Sequence, residues 1–130
     1  QKALDFSNKN RLKDRVFLKG RIYDKNTLEK VYNTALCSIS PGYVGLSIIQ
    51  SFSFGVPMIV SKNENHSPEI DAVIENQNAV YEESSLSETI LKFFNNKDYW
   101  ISRRVHIKRH SKKNYTIEKM AMPFFEILKS

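Results

Sequence analysis

Short apolar runs alternate with amphipathic stretches along this 130-residue chain. The apolar runs predict strands at Val16–Leu18, Ala35–Ser40, Met58–Val60 and Ala79–Tyr81. The amphipathic stretches predict helices over residues 3–10, 28–33, 46–54, 69–74, 86–95 and 117–128. Strands and helices that alternate through short turns are typical of a parallel sheet covered by helices on both faces. We therefore expect residues 1–130 to form a single α/β domain with a Rossmann-like sheet.

The segment from Ser40 to Pro57 carries the strongest functional signal. Pro41 and Gly42 end a strand, and Gly45 lets the backbone pass close to a ligand because it has no Cβ. A helix that begins directly after a strand leaves its first amide groups unpaired, with the positive end of its dipole facing outward. In parallel sheets, ligands bind beyond the carboxyl ends of the strands. The amides of residues 45–47 are therefore the predicted phosphate site.

The same segment resembles the donor-binding core of retaining glycosyltransferases with two Rossmann-like domains, the group-1 or family-4 class of the GT-B fold. The central match is Ser40-Pro41-Gly42-Tyr43-Val44-Gly45-Leu46 followed by Gln50-Ser51-Phe52-Ser53-Phe54-Gly55-Val56-Pro57. Further motifs of the class are similar, in the same order, to Val16–Ile22, Leu28–Tyr32, His66–Ile70 and Asn78–Tyr81. The resemblance covers roughly residues 10–95 and implies that this domain is one half of a GT-B enzyme.

Two positions depart from the pattern of this class. The family has a glutamate in the turn and another eight residues later, where this chain has Gly42 and Gln50. In the family the first glutamate contacts the transferred sugar and the second contacts the nucleotide ribose. Gln50 can still hydrogen-bond a ribose hydroxyl because its amide carries a donor and an acceptor. The Pro-Gly-x-Val-Gly-Leu sequence is similar to a bacterial surface-polysaccharide branch of the class, and we interpret the change as a subtype.

The resemblance implies a transferase that moves a hexosyl group from a UDP- or GDP-sugar to a glycan or lipid-linked acceptor in polysaccharide or lipopolysaccharide biosynthesis. It implies no cofactor and no required metal. The implied nucleotide-sugar site comprises Gly20, Arg21, Ile22, Gly42, Tyr43, Val44, Gly45, Leu46, Ser47 and Gln50. His66, in a loop after a predicted strand, is a candidate contact of the donor sugar. Nothing here matches the strand that opens the family's second domain, so we expect a fragment whose N-terminal acceptor domain, with most catalytic residues, is absent.

Charge adds a second candidate surface. The net charge of +6 comes from one basic segment without acids, since the remaining residues balance. Three interpretations stay open for this segment: a solvated helix face, contact with anionic lipid, and nucleic-acid binding. We expect no nucleic acid, because aromatic residues are not interleaved with the charges. Peripheral contact with an anionic membrane would use Arg103, Arg104, Lys108, Arg109, Lys112 and Lys113.

The cysteine, the histidines and the length of the apolar runs limit which functions and locations are expected. The lone Cys37 excludes an intramolecular disulfide and is expected to be buried. His106 and His110 could share a helix face but lack a third metal ligand nearby. No apolar run approaches the roughly 20 residues that span a bilayer, so we expect a cytoplasmic protein, peripheral to the inner membrane face at most. A Rossmann-like module that binds a nucleotide without transfer is the main alternative, and a basic nucleic-acid-binding domain is a third.

Overall fold

The computed structural model describes residues 2–129, and the predicted domain bounds at residues 1 and 130 lie outside that part. The α-helices are α1 (Lys2–Lys9), α2 (Lys25–Thr34), α3 (Ser47–Ser53), α4 (Leu86–Asn95), α5 (Lys97–Asn114) and α6 (Ile117–Lys129). The strands are β1 (Ser38–Ser40), β2 (Met58–Val60) and β3 (Ala79–Tyr81), and a 3₁₀ helix spans Pro68–Ala72. The chain therefore has the α/β fold that the alternating pattern predicts.

The three strands form one parallel sheet in the order β1-β2-β3. Ile39 of β1 pairs with Ile59 of β2, which pairs with Val80 of β3. Helix α3 connects the first two strands, and the 3₁₀ helix lies between the second and the third. This order places the loops after Ser40 and after Val60 side by side at the carboxyl edge of the sheet.

Helices cover both faces of the sheet. Met58 and Val60 of the central strand pack with Ile48 and Phe52 of α3 on one face. Ile59, which lies between them and points the other way, packs with Phe93 and Trp100. All three residues of β2 are buried, as expected for a central strand with helices on either side. The predicted helix-sheet-helix layering is confirmed.

Helix α5 is the largest element that the hydrophobic pattern did not predict. Its 18 residues run from one face of the sheet to the other, with Trp100 in one apolar cluster and Ile107 in the second. Arg103 and Arg104 lie between these two anchors, and residues 108–114 are all polar or charged, so no continuous apolar stripe marks the helix in the sequence. The sequence-based prediction therefore missed a helix that packs against both apolar clusters.

The predicted strand at Val16–Leu18 is wrong. These residues form no helix or strand, and Phe17 is 67% exposed. They line a surface groove with Leu4 and Ser7 of α1. A three-residue apolar run cannot specify a strand by itself, because pairing depends on a partner strand distant in the sequence.

Element ends also differ from the prediction in two informative places. Helix α2 begins three residues earlier than expected, because the Asp24 carboxylate accepts a hydrogen bond from the Thr27 N–H at 2.7 Å and caps the helix. The predicted strand at Ala35–Ser40 shortens to β1, and its first residue, Ala35, ends α2 instead. The helix predicted over residues 69–74 is the short 3₁₀ helix, which begins at Pro68.

Helix α6 lies outside both apolar clusters. None of its residues is buried, and Phe124 and Leu128 are among its exposed apolar side chains. Among the described residues, no helix combines the length and apolarity needed to cross a bilayer.

Candidate functional site

The candidate site is the loop after β1, residues 40–46, together with the start of α3. The Ser40 hydroxyl donates to the Tyr43 carbonyl at 3.2 Å and closes the turn after the strand. The first hydrogen bond of the helical turn runs from the Ile48 N–H to the Gly45 carbonyl at 3.1 Å. The amides of residues 45–47 therefore lie at the open, positive end of α3. Tyr43 and Leu46 beside them are more than half exposed.

A second loop, residues 61–67 after β2, holds the first one in place. The Val44 N–H donates to Nδ1 of His66 at 3.1 Å. The Ser67 N–H returns a bond to the Val44 carbonyl at 3.1 Å, and the Ser67 hydroxyl lies 2.9 Å from the same oxygen. Val44 also buries its side chain completely in the core. The loop that leads into α3 is thus fixed both by its backbone and by its side chain.

His66 is engaged at both ring nitrogens. Its Nδ1 accepts from Val44, so the proton of the neutral ring resides on Nε2, which lies 2.7 Å from the Ser61 carbonyl oxygen and donates to it. The sequence suggested His66 as a contact of the donor sugar. In the structure its ring hydrogen-bonds both loops of the carboxyl edge, and the contact with the donor sugar stays a prediction.

Glu69, at the start of the 3₁₀ helix, is hydrogen-bonded to the end of this second loop. Its carboxylate accepts a hydrogen bond from the Ser67 hydroxyl. This bond, and a smaller contribution from its own backbone N–H, hold the pKa of Glu69 below its usual value. Glu69 therefore stays ionised at neutral pH, and Ser67 connects it to the Val44 carbonyl.

A pair of serine hydroxyls fixes α3 against the sheet. The hydroxyls of Ser38 in β1 and Ser51 in α3 lie 2.8 Å apart, and Ser51 also donates to the Val56 carbonyl at 2.8 Å. Ser51 is completely buried, and both contacts satisfy its hydroxyl. The pair sets the distance between the edge strand and the helix, and thereby the position of the open helix end.

The glycines of the site have different structural roles. Gly42 has open space around the position of a Cβ, so the backbone does not require glycine there. A Cβ on Gly45 would lie 3.4 Å from the Tyr43 ring and 3.6 Å from the Ser67 hydroxyl, which are ordinary contacts. Gly55 is different, because its φ is +75° and a Cβ would lie 2.5 Å from the Arg104 carbonyl oxygen. Gly55 is the glycine that the packing demands.

Gln50 lies one turn into α3, and its side chain is exposed. Its side-chain oxygen is 3.4 Å from the hydroxyl of Tyr32 in α2, a long hydrogen bond. The Tyr32 ring stacks on Phe54 with the centroids 4.7 Å apart. Gln50 therefore lies next to Tyr32, which the sequence did not indicate as part of the site. The stacking on Phe54, at the end of α3, holds Tyr32 in place.

Gly20, Arg21 and Ile22, which belong to the implied nucleotide-sugar site, lie on a segment without regular structure. Gly20 adopts a φ of +64° in open space, as a turn glycine does. The Arg21 guanidinium lies 5.0 Å from the ring centroid of Tyr23 in its own loop. Among residues 2–129, no hydrogen bond joins the segment 20–22 to the loop after β1. The structure thus groups residues 42–47 and Gln50 around α3, whereas Gly20, Arg21 and Ile22 lie on the segment that precedes α2.

The basic residues of α5 do not form one surface. Arg104 points inward and donates to the carbonyl oxygens of Ala35 and Tyr32 at 2.5 and 2.9 Å, where it satisfies the C-terminal end of α2. The Cβ of Lys108 lies against Gly55. Arg103, Arg109 and Lys113 line a groove on one flank, and Lys112 lies in solvent outside it. Arg104 is therefore unsuited to the membrane contact suggested by the sequence.

The structure gathers no metal-ligand set in the part of the chain that it describes: no three His, Cys, Asp or Glu side chains come together as ligands would. A comparison with protein-family models gives no match, and a comparison with curated proteins also gives none. The interpretation of the site therefore depends on its own residues and contacts.

Proposed function

We propose that this domain binds a nucleoside-diphosphate sugar at the start of α3, as the donor domain of a retaining glycosyltransferase that transfers a hexosyl group to a glycan or lipid-linked acceptor. The observation that carries the proposal is the fixed, open helix start at the carboxyl edge of a parallel sheet. The amides of Gly45, Leu46 and Ser47 precede the first bonded amide of the helical turn, that of Ile48, and the contact between Val44 and His66 holds the loop that carries them. The motif resemblance over residues 40–57 supports the same ligand.

The chemical task of such a site is modest. The leaving group is a diphosphate whose negative charge grows as the glycosidic bond breaks. Fixed amide dipoles aimed at this charge stabilise the transition state more than the ground state. A loop held by His66 and Ser67 needs little rearrangement when the charge develops, and this preorganisation makes the dipoles effective.

Gln50 would bind the ribose. It lies one helical turn beyond Ser47, so a nucleotide whose phosphates lie on the helix start can extend its ribose along the same helix face. Its side-chain nitrogen is a donor, and its oxygen is only weakly engaged by Tyr32 at 3.4 Å. A ribose hydroxyl can replace that weak contact.

A second candidate is a binding module that holds a nucleotide without transferring sugar. Gly42 favours it, because the family's sugar-contacting carboxylate is missing at this position and the space beside Gly42 is open. Both candidates place the phosphates at the same amides. Addition of nucleotide-sugar and labelled acceptor to the full-length protein separates them, since only a transferase glycosylates the labelled acceptor.

The shared binding step is tested by titration of the protein with UDP and with GDP while the backbone amide signals are recorded by NMR. We expect one of the nucleotides to shift the amides of residues 45–50 at millimolar concentration or below. Gly45→Val should abolish the shift, because a branched side chain would fill the volume where phosphate and backbone meet. Gly42→Ala is the matched control and should keep binding. Absence of a shift with both nucleotides would refute the site.

The ribose contact is tested by Gln50→Ala, with Tyr32→Phe as its control. Loss of the Gln50 partner should weaken nucleotide binding by about 1–2 kcal/mol. The Tyr32→Phe variant removes only the internal hydroxyl and should leave binding unchanged or slightly tighter. A nucleotide lacking the ribose hydroxyls should lose a similar amount, and the two losses should not add, because they remove one contact. Additive losses would contradict the ribose assignment.

A further inference from the structure

A basic groove lies on the far side of the molecule from the candidate nucleotide site. It runs between α5 and the segment 74–78 that leads into β3, and its volume is about 270 Å³. This segment precedes a strand and therefore lies at the amino edge of the parallel sheet, whereas the loop after β1 lies at the carboxyl edge. The groove is thus independent of the site proposed above.

One flank of α5 supplies the charge. Arg103, His106, His110 and Lys113 recur at intervals of three and four residues, which places them in a row along the helix, and Arg109 joins them at the rim. The buried side chain of Ile107 forms the floor. No acidic side chain of the described residues lines the groove. Glu75 belongs to the facing segment, but its side chain lines a neighbouring groove beside Tyr81.

The charges of the groove are uncompensated and one of them is held in place. Among residues 2–129, the ion pair that the structure contains joins Lys92 to Glu83, away from this row. Arg103 donates its Nε–H to the Gln77 carbonyl at 3.3 Å, which fixes the side chain and leaves its terminal nitrogens free to bind. A planar arginine fork beside further cations is the arrangement that binds phosphate oxygens.

We propose that this groove binds a phosphate-bearing group, either a free phosphate or diphosphate or the phosphate of a lipid headgroup. Its volume is slightly below the roughly 300–1,000 Å³ typical of sites for whole small-molecule ligands, so it suits a phosphate or diphosphate better than a complete nucleotide. The apolar floor at Ile107 keeps water from one side of the anion and strengthens its attraction to Arg103, Arg109 and Lys113.

The test compares two neighbouring lysines of α5. Lys113→Gln removes a charge that lines the groove, and Lys112→Gln removes the same charge from the adjacent position outside it. The protein is titrated with inorganic pyrophosphate under NMR observation. We expect amide shifts in residues 103–113 and at Gln77, with affinity lowered about five-fold by Lys113→Gln and unchanged by Lys112→Gln.

A second arm identifies the source of the phosphate. Sedimentation with phosphatidylcholine vesicles that contain phosphatidic acid, against pure phosphatidylcholine, is measured for the same two variants. The groove is assigned to a lipid headgroup if the protein binds the acidic vesicles but not pyrophosphate. In that case Lys113→Gln should weaken vesicle binding and Lys112→Gln should not. Equal losses in the two variants, pyrophosphate shifts confined to residues 45–47, or no binding in either arm would overturn the proposal.

Discussion

Replacement of Gly55 by alanine tests the packing that orients α3. Gly55 has a φ of +75°, and an L-residue in this region costs about 1–2 kcal/mol. The added Cβ would also lie 2.5 Å from the Arg104 carbonyl oxygen and 3.3 Å from the Cβ of Lys108, so α5 must move away. Such overpacking costs a further 1–3 kcal/mol or so. We expect Gly55→Ala to lower the free energy of unfolding by about 2–5 kcal/mol.

Two other glycines provide controls that separate these contributions. Gly20 also has a positive φ, +64°, but nothing lies within 4 Å of its Cβ position, so Gly20→Ala should cost only the conformational part, about 1–2 kcal/mol. Gly42 has neither feature, and Gly42→Ala should be neutral or stabilise the fold by about 0.4–1 kcal/mol. Urea denaturation of the three variants gives the free energies. Equal costs for Gly55→Ala and Gly20→Ala would refute the close approach of α5.

The consequence of this packing extends to the candidate site. Arg104 touches Gly55 through its backbone while its guanidinium closes the end of α2, so α2, α3 and α5 are held together at one point. The side chain of Tyr32 extends from the end of α2 at this point and stacks on Phe54, next to Gln50. Displacement of α5 in Gly55→Ala should therefore also weaken nucleotide binding, although no ligand contact is removed.

Two further predictions concern His66 and Cys37. His66→Ala removes the acceptor of the Val44 N–H and the donor to Ser61, so we expect a loss of about 1–3 kcal/mol in unfolding free energy and faster hydrogen exchange at the Val44 amide; an unchanged exchange rate would contradict the tie between the loops. Burial raises the pKa of the Cys37 thiol from 9.0 to about 11, so its reaction with an aromatic disulfide reagent at pH 8 should be slower in the folded protein than in urea. Because the folded pKa is the higher one, the thiol contributes stability that is complete below pH 9 and is lost as the pH rises towards 11; a Cys37→Ser variant with the same alkaline loss would argue against this cause.

The sequence predicted best those elements whose signals are local. The bounds of β2, β3 and α4 agree with the hydrophobic pattern, because each is a compact apolar run or an amphipathic stretch between clear turn residues. The Ser85 hydroxyl accepts from the Glu88 N–H at 3.2 Å, which fixes the start of α4. The loop that joins β1 to α3 was likewise predictable from Pro41, Gly42 and Gly45.

The contacts that shape the site could not be predicted in this way, because they join residues far apart in the chain. His66 reaches Val44 across 22 positions, and Arg104 reaches Tyr32 across 72. A histidine in a polar loop carries no sequence signal that distinguishes a ligand contact from a bond to the backbone. Gly55 resembled an ordinary turn glycine, and only the position of α5 shows that a side chain is excluded there.

The basic segment of α5 shows why a run of charges must be resolved by helix geometry before it is assigned a partner. In the sequence, six cations from Arg103 to Lys113 suggest one electropositive surface. At 100° per residue they separate, so that Arg104 turns towards the end of α2, Lys108 lies against Gly55, and only part of the run reaches the groove. The two histidines, which a count of fixed charges omits, share the groove flank with Arg103 and Lys113. The surface suited to phosphate is therefore smaller than the charge run, and its members are selected by their spacing along the helix as well as by their charge.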